Sequence, residues 1–370
     1  MNRRSGLAAL AGLALVAGLA IAATVSAAPN AGGTMVADTS GKWVTYNQKT
    51  CKYTPTKSMG AKYTAVMRKS ATKYKISWGT QDTVFPFTLL LNKDIKAQAA
   101  NAGLELKVWD NKGDNQAVNT TQPILNANQI VAWQPDVNLW MNTLGPLTAK
   151  TMKLFNEARP CIPTVQFYIS PGQNAIYFGN SQPQQGIAAA DYAAPIIKAR
   201  GWKPADTWIV STGSVSAFGN DPGSPQERIT YFTTQLRKLI PGIPADHSTL
   251  LDCNTTPDCR TAMADWITAH PQAKNITGAT VYDIRSLGAH AALKAAGFSK
   301  NAVLVGNGLE PAAKALVDAN DPIMVSTLDP GEQNGGKFVI PLALDILAGK
   351  PVPTGTYIPV KPYCGKRCGK

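Results

Sequence analysis

From residue 74 onward, short apolar and β-branched runs alternate with stretches of helical periodicity. Residues 74–78 predict a strand, 92–102 a helix closed by Gly103, and 104–109 the next strand. A helix over 117–127, a strand over 130–133, a helix over 147–158 and a strand over 165–168 follow. The alternation restarts with a helix at 187–200, a strand at 207–210 and helices at 226–239 and 259–270. It continues with strands at 278–282, 302–306 and 323–327 and helices at 287–296, 311–319 and 335–347. Strands alternating with helices of about ten residues predict βαβ units and parallel sheets between helix layers. The fold class is therefore α/β, in two blocks that each bury a sheet.

The segment before residue 72 has a different pattern. Arg3 and Arg4 precede an uncharged run of Leu, Ala, Gly and Val, which ends at Val25-Ser26-Ala27-Ala28-Pro29. A basic start, an apolar stretch and small residues before a cut predict a cleaved secretory signal over 1–28. The rival, an uncleaved anchor, has a run nearly long enough to span a bilayer. Residues 29–71 predict an irregular basic extension, with Lys42, Lys49, Lys52, Lys57, Lys62, Arg68 and Lys69 against Asp38. The chain of 370 residues has a net charge of +13, and much of the excess sits in this extension and in the Cys/Lys-rich tail 364–370. That charge is compatible with an acidic ligand or an anionic surface without requiring either.

Export makes disulfides the expected state of the six cysteines. Cys253 with Cys259 closes a short loop, and Cys364 with Cys368 is a second local pair. Cys51 then pairs with Cys161 or with the tail. Neither a dinucleotide fingerprint, a nucleophile elbow, a P-loop nor a paired zinc motif is present, and there are only three histidines. No catalytic residue, metal or cofactor is assigned on these grounds.

Several passages carry a resemblance. Phe85-Pro86-Phe87 follows the first strand. Asp283-Ile284-Arg285-Ser286-Leu287-Gly288-Ala289 leads into a helix ending Ala296-Gly297. Val305-Gly306-Asn307-Gly308, Thr327-Leu328-Asp329-Pro330 and Leu347-Ala348-Gly349-Lys350-Pro351 follow in order. Over residues 72–357 the chain resembles the ribose-binding-like, type 1 periplasmic sugar-binding proteins of bacterial ABC importers. The resemblance implies two similar three-layer lobes joined by three crossovers, near 178–181, 327–330 and 353–357. Lobe one would span 72–179 completed by 330–354, and lobe two 180–329 completed by 355–363. It also implies a monomer in the periplasm that binds a small molecule, a sugar, polyol or sugar-like ligand, and delivers it to an ABC-type permease. No nucleic acid is expected: the place where related regulators have a DNA-binding helix pair holds a signal and the extension. A sensing module of the same fold and a secreted enzyme are the competing classes.

The cleft implied by this fold faces the carboxyl ends of the strands. Phe85 and Phe87 would stack on a ligand ring, or else plug the lobe. Gln134 and Asp136 would take hydroxyls beside Trp133, itself a candidate core residue. Asn180 is a ligand contact or a hinge cap. Arg228 stands where the family places a ligand-binding arginine, its fork suited to two hydroxyls or a carboxylate. Tyr282 takes the place of a family asparagine, and Asp283 is a ligand acceptor or a helix cap. Asn307 stands beside the position of a family aspartate, which here is Gly308. The cleft thus keeps rings and loses hydroxyl acceptors.

Overall fold

Two mixed sheets, each with a central set of parallel strands between helix layers, organise the chain. The computed structural model describes residues 34–112, 119–141, 145–169, 172–213, 215 and 224–369. The expected signal over 1–28 lies outside the described residues. In chain order the strands are β1 (Thr34–Thr39), β2 (Trp43–Asn47), β3 (Lys52–Thr56), β4 (Lys62–Val66), β5 (Lys75–Thr80), β6 (Glu105–Asp110), β7 (Val137–Trp140), β8 (Thr164–Phe167) and β9 (Ala175–Gly179). They continue with β10 (Thr207–Gly213), β11 (Ser248–Asp252), β12 (Asn275–Ala279), β13 (Ala302–Asn307), β14 (Met324–Asp329), β15 (Val352–Pro353), β16 (Gly355–Tyr357) and β17 (Lys361–Tyr363). The helices are α1 (Pro86–Asn101), α2 (Gln122–Trp133), α3 (Gly145–Glu157), α4 (Gln182–Ala199), α5 (Glu227–Leu239), α6 (Thr256–Ala269), α7 (Asp283–Ala295), α8 (Pro311–Asp318) and α9 (Gly335–Leu347).

The first sheet has the order β4-β1-β16-β9-β8-β7-β5-β6, and the second β11-β10-β12-β13-β14-β17. Strands β7, β8 and β10 are buried at every residue, as parallel strands under helices on both faces must be. In lobe one, α1 and α9 cover one face through Leu91, Ile95, Phe338 and Leu342. Ile130 of α2 and Phe155 of α3 cover the other, against Trp140. In lobe two, α4 and α5 pack on one face and α6, α7 and α8 on the other. The chain passes between the sheets after β9, after β14 and after β16. No helix among the described residues is long and apolar enough to cross a membrane.

Four sequence expectations need correction. Residues 130–133 end helix α2 and are not a strand; Gln134 takes a left-handed cap (φ 54°) before Pro135, and the strand starts at Val137. Helix α1 begins at Pro86 rather than residue 92, because Asp82 Oδ1 accepts the Val84 and Phe85 N–H groups and starts the turn. Residues 355–357, expected in lobe two, form β16 beside β9 in the first sheet, so the last crossover lies between β16 and β17.

The extension is not irregular: it holds β1 to β4. Strand β1 pairs antiparallel with β16 and β4, extending the first sheet, while β2 pairs with β3 and β15. Tyr63 and Ala65 of β4 alternate inward between exposed residues. The buried Tyr63 hydroxyl donates to Asp345 at 2.8 Å, and Arg68 pairs with the same carboxylate at 2.8 Å. The cysteines pair as Cys51–Cys161, Cys253–Cys259 and Cys364–Cys368, which settles the choice left open for Cys51. The first of these joins the β2–β3 hairpin to the approach to β8, across a separation of 110 residues. Replacing both Cys51 and Cys161 by serine should lower stability by about 2–5 kcal/mol, because the unfolded chain regains that loop's freedom. The measurement is the urea midpoint under oxidising conditions; an unchanged midpoint would show that strand pairing alone fixes the extension.

Candidate functional site

The carboxyl ends of β5, β8, β12 and β13 meet where the two lobes touch. Phe85, just past β5, lies edge-on to Tyr282 of the second lobe, with ring centroids 6.2 Å apart. Ile284 at the start of α7 packs against the first lobe's core. Phe87 lies edge-on to Tyr168, just past β8, at 5.0 Å. Four rings from both lobes thus gather at this junction. Tyr168 has φ 58°, and its buried hydroxyl has no hydrogen-bond partner. Its ring lies so close to Gly179 that a Cβ there would come within 2.9 Å of it.

Arg228 is 5% exposed. Its Nε donates to Gln182 Oε1 and its Nη1 to the Val281 carbonyl, both at 2.6 Å, and the guanidinium lies over the Tyr282 ring at 5.3 Å. This is a fixed cation in the cleft and not a surface salt bridge. Burial lowers its pKa, offset in part by the neighbouring tyrosines and Glu332. Arg285 lies on the same ring at 5.4 Å and holds the Cys253 carbonyl.

The carboxyls here are held largely by protein groups. Asp283 is fully buried and accepts from Thr327 Oγ1 at 2.8 Å and from the Glu310 N–H at 2.9 Å. Gly306 makes the room: a Cβ there would stand 2.0 Å from Asp283 Oδ1. Asp283 thus ties the start of α7 to the ends of β13 and β14. Burial raises its pKa to about 6, against the lowering effect of those hydrogen bonds. Burial raises Glu310 to about 8, with Asp283 adding to the rise. Glu332, in the crossover after β14, is likewise raised by burial to about 8, and its Oε2 has no partner.

The sequence-predicted residues divide into three groups. Phe85, Phe87, Arg228 and Tyr282 come together at the junction. Asp283, Asn307 and Asn180 stand near it with their side chains in protein hydrogen bonds. Asn307 Nδ2 donates to Gln185 at 2.6 Å. Asn180 Nδ2 donates to the carbonyls of Pro330 at 2.9 Å and Ile358 at 3.2 Å, so it links all three crossovers. Trp133, Gln134 and Asp136 are not brought to the junction, because the strand they were assigned to is the end of α2. Asp136 accepts from the backbone N–H of Lys75 at 2.7 Å, and Lys75 Nζ donates to the Trp133 carbonyl at 2.6 Å. Both contacts lie at the amino ends of β5 and β7, away from the second lobe. Tyr168, Glu332, Glu310 and Arg285 were missed. Tyr168 closes a predicted strand, so the strand-end rule could have found it. Glu332 carries no such signal.

This is the anatomy of two α/β lobes around a cleft, and a protein-family model, the periplasmic binding protein domain, matches residues 76–351. The chain belongs to the periplasmic binding protein family. Membership implies a periplasmic location. Solved structures with the same fold include a periplasmic ribose ABC transporter protein from Conexibacter woesei, at 17% identity and TM-score 0.66, over 81% of this chain and 95% of that one. A carbohydrate transporter solute-binding protein from Agrobacterium radiobacter, in complex with D-arabinose, has 18% identity and TM-score 0.66 over 81% and 97%. An ABC transporter solute-binding protein from Bacillus halodurans with bound myo-inositol has 15% identity and TM-score 0.65 over 81% and 97%. No curated protein compared with the chain matches it.

The raised carboxyls give this binding protein a pH dependence. Glu310 and Glu332 hold their protons more tightly folded than unfolded. Their contribution is present below the ordinary glutamate pKa and is lost as pH rises through about 8. Asp321 works in the opposite sense. Burial raises its pKa, but hydrogen bonds from His290, Met324 and Ile323 outweigh it and bring it to about 2. Its stability is lost only as pH falls toward that value. The melting temperature should therefore decline between about pH 5 and about pH 8, and Glu332→Gln should flatten the decline. A Glu332→Gln profile identical to the parent's would show that this carboxyl does not titrate as described.

Proposed function

We propose that the protein captures a small solute between its two lobes in the periplasm and delivers it to an ABC-type permease. The family supports capture, and the observation that carries the reading is the ring-walled junction with Arg228 set into it. Rings stack on the apolar faces of a cyclic solute, and the guanidinium fork takes its hydroxyls or a carboxylate. Lobe closure is a population shift driven by the ligand's extra contacts in the closed state. Export through a cleaved signal over residues 1–28 and action as a monomer belong to the same proposal.

The ligand class is a sugar, polyol or sugar-like ring. Proteins of the same fold hold D-arabinose and myo-inositol. Tyr168 and Tyr282 supply aromatic surface at two strand ends, and Gly308 offers no side-chain acceptor. Unpaired buried polar groups are costly, which favours a solute with fewer hydroxyls than a simple hexose.

Native mass spectrometry of the freshly purified protein, followed by denaturation and identification of the released molecule, tests capture directly. With that molecule, Arg228→Ala and Phe85→Ala should each weaken binding roughly 10–100-fold, since each removes a charged or stacking contact. Undiminished affinity in both variants would place the ligand elsewhere. An empty protein that also gives no thermal shift with sugars, polyols, aromatic acids or nucleosides would overturn the reading.

A further inference from the structure

Beside the hinge, on the face that carries the extension, lies a cavity of about 370 Å³. Ser40, Thr354 and Tyr357 line it from the first lobe, and Asn180 and Glu227 line it from the second lobe's side. Tyr177 completes the wall, its ring 5.4 Å from that of Tyr357. The three first-lobe residues fall outside the matched stretch 76–351, whereas Tyr177, Asn180, Gln182 and Glu227 fall within it.

Among its described lining residues Glu227 alone is charged. The Glu227 carboxylate makes no ion pair among the described residues. Asn180 is fully buried, and its Oδ1 has no hydrogen-bond partner. Several of its donors are already committed. The Tyr177 hydroxyl donates to the Asn180 carbonyl at 2.6 Å, and the Ser40 and Thr354 hydroxyls bond each other at 2.7 Å. No lysine or arginine lines the cavity.

We propose that this hinge-side cavity is a second binding site, for a small primary ammonium ion. An ammonium group has three donors and no acceptor, which matches the Glu227 carboxylate and the hydroxyl oxygens of the wall. Tyrosine ring faces attract a cation, and the carboxylate supplies the opposite charge.

The site is joined to the cleft by one side chain. Gln182 lines the cavity, donates through Nε2 to the Tyr168 carbonyl at 3.3 Å, and accepts from Arg228 at 2.6 Å. Because its walls come from both lobes, the cavity changes shape as they rotate. The amine and the cleft solute therefore alter each other's affinity by the same factor; this coupling alone rests on the solute-capture reading.

The test is isothermal calorimetry on the oxidised full-length protein with propylammonium chloride, using 1-propanol and glucose as neutral probes. The expected result is saturable propylammonium binding below about 10 mM, silence with both neutral probes, and at least a roughly ten-fold loss in Glu227→Gln. Phe85→Ala should leave amine binding intact, which separates this site from the cleft. A far-ultraviolet melt of Glu227→Gln confirms that the variant is folded. No propylammonium binding, equal binding of 1-propanol or glucose, undiminished binding in Glu227→Gln, or loss in Phe85→Ala would each overturn the proposal.

Discussion

The relation between the lobes depends on one buried amide. Asn180 sits in the first crossover and donates to a backbone carbonyl in each of the other two, Pro330 and Ile358. Its backbone carbonyl accepts from the Tyr177 hydroxyl. Three separate passages of chain are therefore fastened to a single fully buried side chain. These bonds go to backbone, so they fix where the crossovers meet without dictating the side chains around them. Leaving the two carbonyls unsatisfied would cost about 1–3 kcal/mol each. That is a large share of the free energy separating two lobe arrangements, which is typically only a few kcal/mol. The hinge is thus a bonded junction at its centre, and lobe rotation has to be absorbed by the residues flanking it. Gly179 is one such residue, at φ 151°, where a side chain would press on Tyr168.

Around this junction the structure buries more ionisable groups than it pairs. Arg228 rests on two acceptors and a ring, with Glu332 adding only a small electrostatic support. Glu310 and Glu332 are raised toward neutrality by burial. The cation stays charged because its ordinary pKa is so high, whereas the acids can shed charge by holding a proton. The result at neutral pH is a cleft whose effective polarity is set by donors and rings. This agrees with the loss of an acceptor at Gly308 and with a solute that brings acceptors of its own.

Much of the fold was legible because buried parallel strands are continuous apolar runs. Strands β5, β10, β13 and β14 announce themselves in this way, and the edge strand β6 by its alternation of apolar and polar residues. Strand β11 did not, since it is an edge strand only partly buried and its polar ends resemble a loop. The run Ile130–Trp133 misled because local β propensity agrees with a strand there, while Ala127 and Ile130 bury on a helical face and Pro135 stops the helix one residue after its cap. That single misreading carried Trp133, Gln134 and Asp136 to the wrong end of the sheet. Phe85 and Tyr282 were found because each stands at or just past a strand read from its apolar run, and Arg228 because it stands where the resembled family has a ligand-binding arginine. Glu332 lies in a crossover, whose path depends on how two lobes are placed and not on any local pattern.

The extension shows how a non-local constraint reshapes the hinge. Without β1, strand β16 would leave an open edge beside the third crossover, free to pair with another chain. Strand β1 covers that edge, and β4 covers β1 in turn. The arrangement is then fixed at three distant points: Cys51 to Cys161, Tyr63 and Arg68 to Asp345, and Asn174 to the backbone of Cys51 and Tyr53. All three anchors lie on lobe one. The extension therefore stiffens one lobe while leaving the other free to rotate against it. Its Ser40, bonded to Thr354 beside β16, becomes a fixed wall facing the moving start of α4 and α5. A segment outside the family domain has in this way acquired a position from which to influence the domain's motion.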